Sequence, residues 1–215
     1  MLTHWRKAEP GSVLFDRTTR RLANMTKQRR TSQTVRIIGG KWKGRKLHFK
    51  EAAHLRPTPA RVRETLFNWL RPWIHDTRCL DAFAGSGVLG LEALSQGARE
   101  VVMVEQHSHT VQGLRQTVAQ LSAQEWVTFY KGDALRFAKQ HTHPFDIIFL
   151  DPPYTRPRLL EDTLKALIAN DLVADFVYAE AASIGDLSRL ARNTNLLIEK
   201  QARAGDSHAV LMRTP

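Results

Sequence analysis

The sequence predicts an α/β fold: a largely parallel, doubly wound sheet that ends in an antiparallel strand, with a small basic β-hairpin and helix in front of it. Three observations predict it. Strand and helix patterns alternate from residue 78 onward, a glycine-rich turn follows the first of those strands, and the last two apolar stretches face each other across Ala204-Gly205-Asp206. With 215 residues and 42% hydrophobic content, the chain can build one good-sized core and a small appendage.

Charge divides the chain in the same way. The net charge is +11, yet residues 1–71 hold 18 Lys and Arg against 4 Asp and Glu, a balance of +14, and the remainder carries −3. A merely solvated surface mixes its signs, so this segregation points to a polyanionic partner, a nucleic acid, for the N-terminal third. The single cysteine, Cys79, excludes an internal disulfide framework, and at a strand start it is expected to be a small buried apolar residue. No apolar run of about 18 residues is present, and Met1-Leu2-Thr3-His4-Trp5-Arg6-Lys7 lacks the apolar stretch of a secretory signal. A soluble, cytoplasmic monomer is expected.

Residues 1–34 read as a basic, disordered arm. Arg20-Arg21 and Lys27-Gln28-Arg29-Arg30 stand among polar residues without a sustained period, and Met25 offers a second basic start. Residues 35–75 read as an RNA-contacting hairpin and helix. Strands are predicted at 35–38 and 46–49, joined by Gly39-Gly40-Lys41-Trp42-Lys43-Gly44-Arg45. An exposed Trp42 would suit RNA, and a Trp42 packed on the core would suit a plain hairpin; the residues leave both open. Thr58-Pro59 predicts an N-cap and a first helical position, opening a helix whose Val62, Leu66, Trp69, Leu70 and Trp73 share a core face. From 76 to the end lies the core domain, with strands predicted at 78–83, 100–105, 127–130, 145–150 and 176–180, helices at 89–96, 110–121, 158–169 and 186–192, and final strands around 196–198 and 209–212.

The turn after the first core strand reads Asp81-Ala82-Phe83-Ala84-Gly85-Ser86-Gly87-Val88-Leu89-Gly90, which satisfies the Rossmann fingerprint G-x-G-x-x-G. Taken alone it suggests a dinucleotide. Asp81 decides otherwise, because a carboxylate there disfavours a pyrophosphate and favours the ammonium and sulfonium charges of S-adenosylmethionine. Glu105, ending the second strand, can accept from both ribose hydroxyls, and Asp133, followed by Ala134, is placed to accept the adenine amino proton. As plainer alternatives, these acids are surface residues or helix caps. Phe83, Gly85, Ser86 and Gly87 complete the expected cofactor site. No metal is expected: His107, His109, His141 and His143 have no carboxylate or cysteine cluster beside them and read as solvated loop histidines.

The strand at 145–150 delivers Asp151-Pro152-Pro153-Tyr154 to the same sheet edge as the glycine loop. The lone pair of a ring-bound amine is delocalised, which makes it a poor nucleophile. If Asp151 and the Pro152 carbonyl accept its two N–H bonds, the nitrogen is drawn toward tetrahedral geometry and its lone pair is aimed at the sulfonium methyl. The prolines fix φ, and Tyr154 offers a stacking face for an unpaired base. The motif therefore predicts methylation of an exocyclic amine, without separating guanine from adenine.

With these motifs in hand, residues 35–213 resemble the bacterial small-subunit rRNA guanine-N2 methyltransferases. Arg36-Ile37-Ile38-Gly39-Gly40 with Lys43-Gly44-Arg45, and Arg56-Pro57-Thr58 with Arg61-Val62-Arg63-Glu64, look like that family's N-terminal signatures. The resemblance implies a seven-stranded class I methyltransferase sheet, 16S rRNA of the 30S subunit as substrate, and S-adenosylhomocysteine as product. It places RNA contacts on Arg36, Lys41, Trp42, Lys43, Arg45, Arg56, Thr58 and Arg61. The rival readings are a DNA adenine-N6 methyltransferase, for which the basic third leaves little room for a base-reading module, and a protein glutamine methyltransferase, which leaves the basic third unexplained. A non-catalytic RNA-binding assembly factor leaves Asp151 without a purpose, and an NAD-dependent oxidoreductase conflicts with Asp81.

Overall fold

The structure, a computed structural model, describes residues 32–50, 58–153, 156–205 and 207–215. Arg56, Tyr154 and the basic arm through residue 31 lie outside the described residues. Strands β1 (Ser32–Arg36) and β2 (Lys46–Lys50) pair antiparallel with Val35 opposite Leu47, and Val35, Ile37 and Leu47 are buried. β1 thus takes in residues 32–34, which the sequence assigns to the arm. Their connection contains a 3-10 turn, Gly40–Trp42. Gly40 has φ +71°, and a Cβ there would overlap the Ser95 carbonyl, so glycine is what lets this turn press onto the core.

Helix α1 (Ala60–Leu70) begins one residue later than expected: Pro59 takes the cap position, its carbonyl accepting from Arg63 N–H at 3.1 Å, and the Thr58 side chain turns elsewhere. Val62, Leu66 and Leu70 are buried as the period predicts, together with Phe67 and Arg63. Trp69 is only half-buried. Trp73, expected on the core face, is 48% exposed past the helix end, where its ring lies 5.6 Å from that of Phe176.

The core alternates β3 (Arg78–Asp81), α2 (Val88–Ser95), β4 (Glu100–Glu105), α3 (Ser108–Gln120), β5 (Val127–Lys131), α4 (Ala134–Gln140), β6 (Phe145–Leu150), α5 (Pro157–Ala169), β7 (Val173–Ala181) and α6 (Ile184–Thr194), then closes with β8 (Leu197–Ala204) and β9 (Ser207–Arg213). Helix α4 was not expected; it is one short amphipathic stretch, capped by Asp133, whose Oδ1 accepts from Arg136 N–H at 3.1 Å. The seven strands lie in the order β5-β4-β3-β6-β7-β9-β8, and β9 alone runs against its neighbours.

Both sheet faces are covered. Along β6, Ile147 and Phe149 face the core under α1, α2 and α3, while Ile148 and Leu150 face the one under α4, α5 and α6. That double burial is why the 145–150 segment reads as a nearly unbroken apolar run. Chain order reverses at β3, whose neighbours are β4 and β6, so the loops leaving β3 and β6 diverge and open a crevice at the carboxyl edge of the sheet. Among the described residues no helix is long and apolar enough to cross a membrane.

Candidate active site

Four predicted acids meet that crevice because each ends or follows a parallel strand: Asp81 on β3, Glu105 on β4, Asp133 after β5 and Asp151 after β6. Asp81 is buried beneath the glycine loop, and its Oδ2 accepts from Gly90 N–H at 3.1 Å. Burial, which outweighs the hydrogen bond from Gly90, pushes its carboxyl up to about 7, and the charge of Glu105 adds to the rise. Glu105 braces the loop from the next strand: its Oε2 accepts from Gly85 N–H at 3.2 Å, and its Oε1 from His107 N–H at 2.7 Å.

Gly87 heads α2 with φ +72°, and a Cβ there would stand 2.5 Å from Leu114 Cδ2. The positive φ favours glycine at that turn, and Leu114 would have to shift for any side chain there. Ser86 and Ala134 are buried, and Phe83 is half-buried against the second core cluster.

Asp151 stands where β6 ends. Thr58, itself buried, donates from Oγ1 to Asp151 Oδ2 at 3.2 Å. Burial first, then the charge of Glu180 on β7, hold Asp151 well above the usual carboxylate range. Glu180 is 3% exposed and is also raised by burial. Pro152 is buried and Pro153 exposed; the Pro153 carbonyl accepts from Arg156 N–H at 3.0 Å, turning the chain into α5.

Among the described residues no ion pair reaches Asp81, Asp151 or Glu180. Carboxylates that no ion pair reaches among the described residues, gathered beside a glycine loop, fit a ligand that brings positive charge and approaches the backbone closely, as S-adenosylmethionine does. No group of three or more metal-ligating side chains occurs among the described residues. His141, expected to be solvated, instead stacks on Phe137 at 4.6 Å and Phe145 at 5.2 Å, and burial lowers its pKa.

The expected RNA residues divide into two places. Thr58 joins Asp151, and Arg61 is exposed on the first turn of α1. Lys41, Trp42, Lys43 and Arg45 gather at the other end of α2 and α3: Trp42 N–H donates to Ser95 Oγ at 3.0 Å, and Arg45 donates to the Gln120 carbonyl at 3.1 Å. Since α2 starts at the carboxyl edge, its eight residues put this group about 12 Å away along the helix axis. Trp42 is half-buried against the core rather than exposed; Lys41 Nζ lies 4.4 Å above its ring and 3.9 Å from that of Trp126. Arg36 is exposed and donates to the Gly44 carbonyl at 3.4 Å.

Sequence reasoning missed the residues that bind appendage to core. Arg63 and Glu92 form a fully buried ion pair at 2.6 Å; Arg63 also donates to the Arg36 and Thr58 carbonyls, and Glu92 accepts from Ile38 N–H at 2.7 Å. A lone acid within Leu91-Glu92-Ala93-Leu94, on a helix buried throughout, is the signal that could have found it.

Residues 35–213 match the family model described as Conserved hypothetical protein 95. The chain is 44% identical over 173 residues to Ribosomal RNA small subunit methyltransferase D of Escherichia coli (strain K12), an alignment covering 80% of this chain and 86% of that protein. The chain belongs to this family. The namesake protein of Haemophilus influenzae is 44% identical over 140 residues, covering 64% of this chain and 72% of its own. Among solved structures, yhhF from Escherichia coli superposes with a TM-score of 0.72 at 39% identity, over 85% of this chain and 98% of that one. Magnesium protoporphyrin IX methyltransferase from Synechocystis PCC 6803, solved with bound SAM, shares the fold at 13% identity and a TM-score of 0.60, over 72% of this chain and 79% of its own. Family membership agrees with the sequence resemblance, and the seven-stranded sheet with its antiparallel β9 is the one that resemblance implied.

Proposed function

We propose that this protein transfers the methyl group of S-adenosylmethionine to the exocyclic N2 amine of a guanine in 16S rRNA of the small ribosomal subunit, in the cytoplasm. The observation that carries the proposal is Asp151, set by β6 beside the glycine loop of β3 and held by Thr58 on one oxygen. Its carboxylate can accept one N–H of the amine while the Pro152 carbonyl accepts the other, which aims the lone pair out of the ring plane. Asp81 and Glu105 shape the loop whose glycines admit the cofactor, and Asp133 keeps a carboxylate at the adenine end. The cofactor supplies an electrophilic methyl carbon; the protein supplies alignment.

Two observations support the substrate class. The relatives named above act, by their names, on small-subunit ribosomal RNA. The +14 balance of residues 1–71 suits a polyphosphate.

The test incubates the purified chain with methyl-labelled S-adenosylmethionine and either unmodified small-subunit particles or duplex DNA, then digests the product to nucleosides. Label in N2-methylguanosine is expected, and none after Asp151→Ala. Label confined to N6-methyladenine in DNA would overturn the proposal.

A further inference from the structure

Glu180 is a buried acid that the transfer as described leaves unused. Two hydroxyls hold it: Tyr178 donates to Oε1 at 2.7 Å, and Ser207 on β9 donates to Oε2 at 3.0 Å. Just past the end of the adjacent strand, Asp151 accepts from Thr58 at 3.2 Å. A hydroxyl has one hydrogen, and Thr58 directs it to Asp151. Asp81 at the end of β3 adds a third acid, and among the described residues no ion pair reaches any of them.

Carboxylates this close do not ionise independently. The donor count decides their order. Glu180, with Tyr178 and Ser207 both donating, holds its charge first; Asp151, with Thr58 alone, ionises second.

We infer that Glu180 is a positioning residue acting through Asp151: its charge sets the pH above which Asp151 becomes an acceptor and strengthens it as one, and Thr58 opposes that effect. The inference rests on Asp151 being the group that receives the amine. In the transfer, the nitrogen–carbon bond forms as the sulfur–carbon bond breaks, and one proton of the nitrogen passes to the Asp151 carboxylate. A neighbouring anion makes that carboxylate more basic and the proton easier to take.

The experiment is the pH profile of single-turnover methyl transfer by the full-length chain to small-subunit particles. The rate falls on the acid side as Asp151 takes up a proton. Glu180→Gln keeps the shape and removes the charge, so its acid limb moves down by about one pH unit. Thr58→Val removes the donor, so its limb moves up, while Thr58→Ser, which keeps a donor, returns the limb toward its native pH whatever the absolute rate. A Glu180→Gln or Thr58→Val profile that is lowered at every pH with its limb unmoved marks a merely structural role and overturns the inference. Should Glu180→Gln fail to fold by circular dichroism, the Thr58 pair alone decides. Failure of the underlying reading is distinguishable, because Asp151→Ala would then still transfer methyl.

Discussion

Two buried charge clusters flank helix α2, and they are built in opposite ways. Along its length, Arg63 meets Glu92 at 2.6 Å with both side chains at 3% exposure or less, and the remaining donors and acceptors go to the Ile38 N–H and to the Arg36 and Thr58 carbonyls. Near its N-terminus, Asp81 and Glu180 are also buried and Asp151 is half-buried, but hydroxyls and a backbone N–H are their partners and, among the described residues, no ion pair reaches them. The first cluster is complete, so it acts as a clamp between appendage and core. The second is electrostatically unfinished, and such strain persists where a ligand or reaction completes it.

Breaking the complete cluster has the largest expected effect. Arg63→Met strands the Glu92 carboxylate in the core and should cost about 3–5 kcal/mol of stability, while Arg63→Met with Glu92→Leu should recover most of it, because burying neither charge is close to neutral. Urea unfolding of both variants checks this. A single variant as stable as the native chain would mean that water reaches Glu92.

Breaking the unfinished cluster should do the reverse. Asp151→Ala removes a half-buried acid that no ion pair reaches among the described residues, so stability holds or rises, while methyl transfer falls by about 10²–10³-fold or more, the loss usual for one positioned polar group at a reacting centre. Melting temperature and single-turnover rate, measured on the same preparation, separate the two.

The two clusters were unequally legible. Asp81, Glu105, Asp133 and Asp151 could be placed from sequence because each ends or follows a strand, and a parallel sheet sends all such ends to one edge. Arg63 and Glu92 could not be paired, since they are 29 residues apart and their contact depends on how α1 crosses α2. Glu180 reads as the end of a strand, and only the β7–β9 pairing brings Ser207 to it. Trp42 was ambiguous for a related reason. Its half-burial comes from Gly39-Gly40 seating the turn on Ser95, whose Oγ donates to the Gly39 carbonyl at 2.5 Å, a tertiary contact with no local sequence period.

Asp81 gives a smaller effect that grows with pH. Its folded-state value of about 7 lies above the ordinary 3.8, so folding favours the protonated acid. The contribution to stability is full below about pH 4 and is lost as pH rises through 7. Asp81→Asn keeps an acceptor for Gly90 N–H and cannot ionise. Without cofactor, its melting temperature should match the native chain near pH 4 and exceed it progressively toward pH 8. A constant difference across that range would show that Asp81 does not titrate there.

The smallest effects belong to the hairpin turn, and they bear on what its distance from Asp151 means. Lys43 and Arg45 are exposed, whereas Lys41 lies over the rings of Trp42 and Trp126, and desolvation lowers its pKa. If the turn holds RNA phosphates about one helix length from the target base, Lys43→Ala and Arg45→Ala should each weaken particle binding and reduce the salt slope by about one. Lys41→Ala should cost about 0.5–1 kcal/mol of stability through its lost ring contacts. Its salt slope should change less, because the ammonium already has partners. Equal slopes for Lys43→Ala, Arg45→Ala and the native chain would confine RNA to the α1 side around Arg61, and would leave Gly39 to Arg45 the single task of closing the core over Ser95.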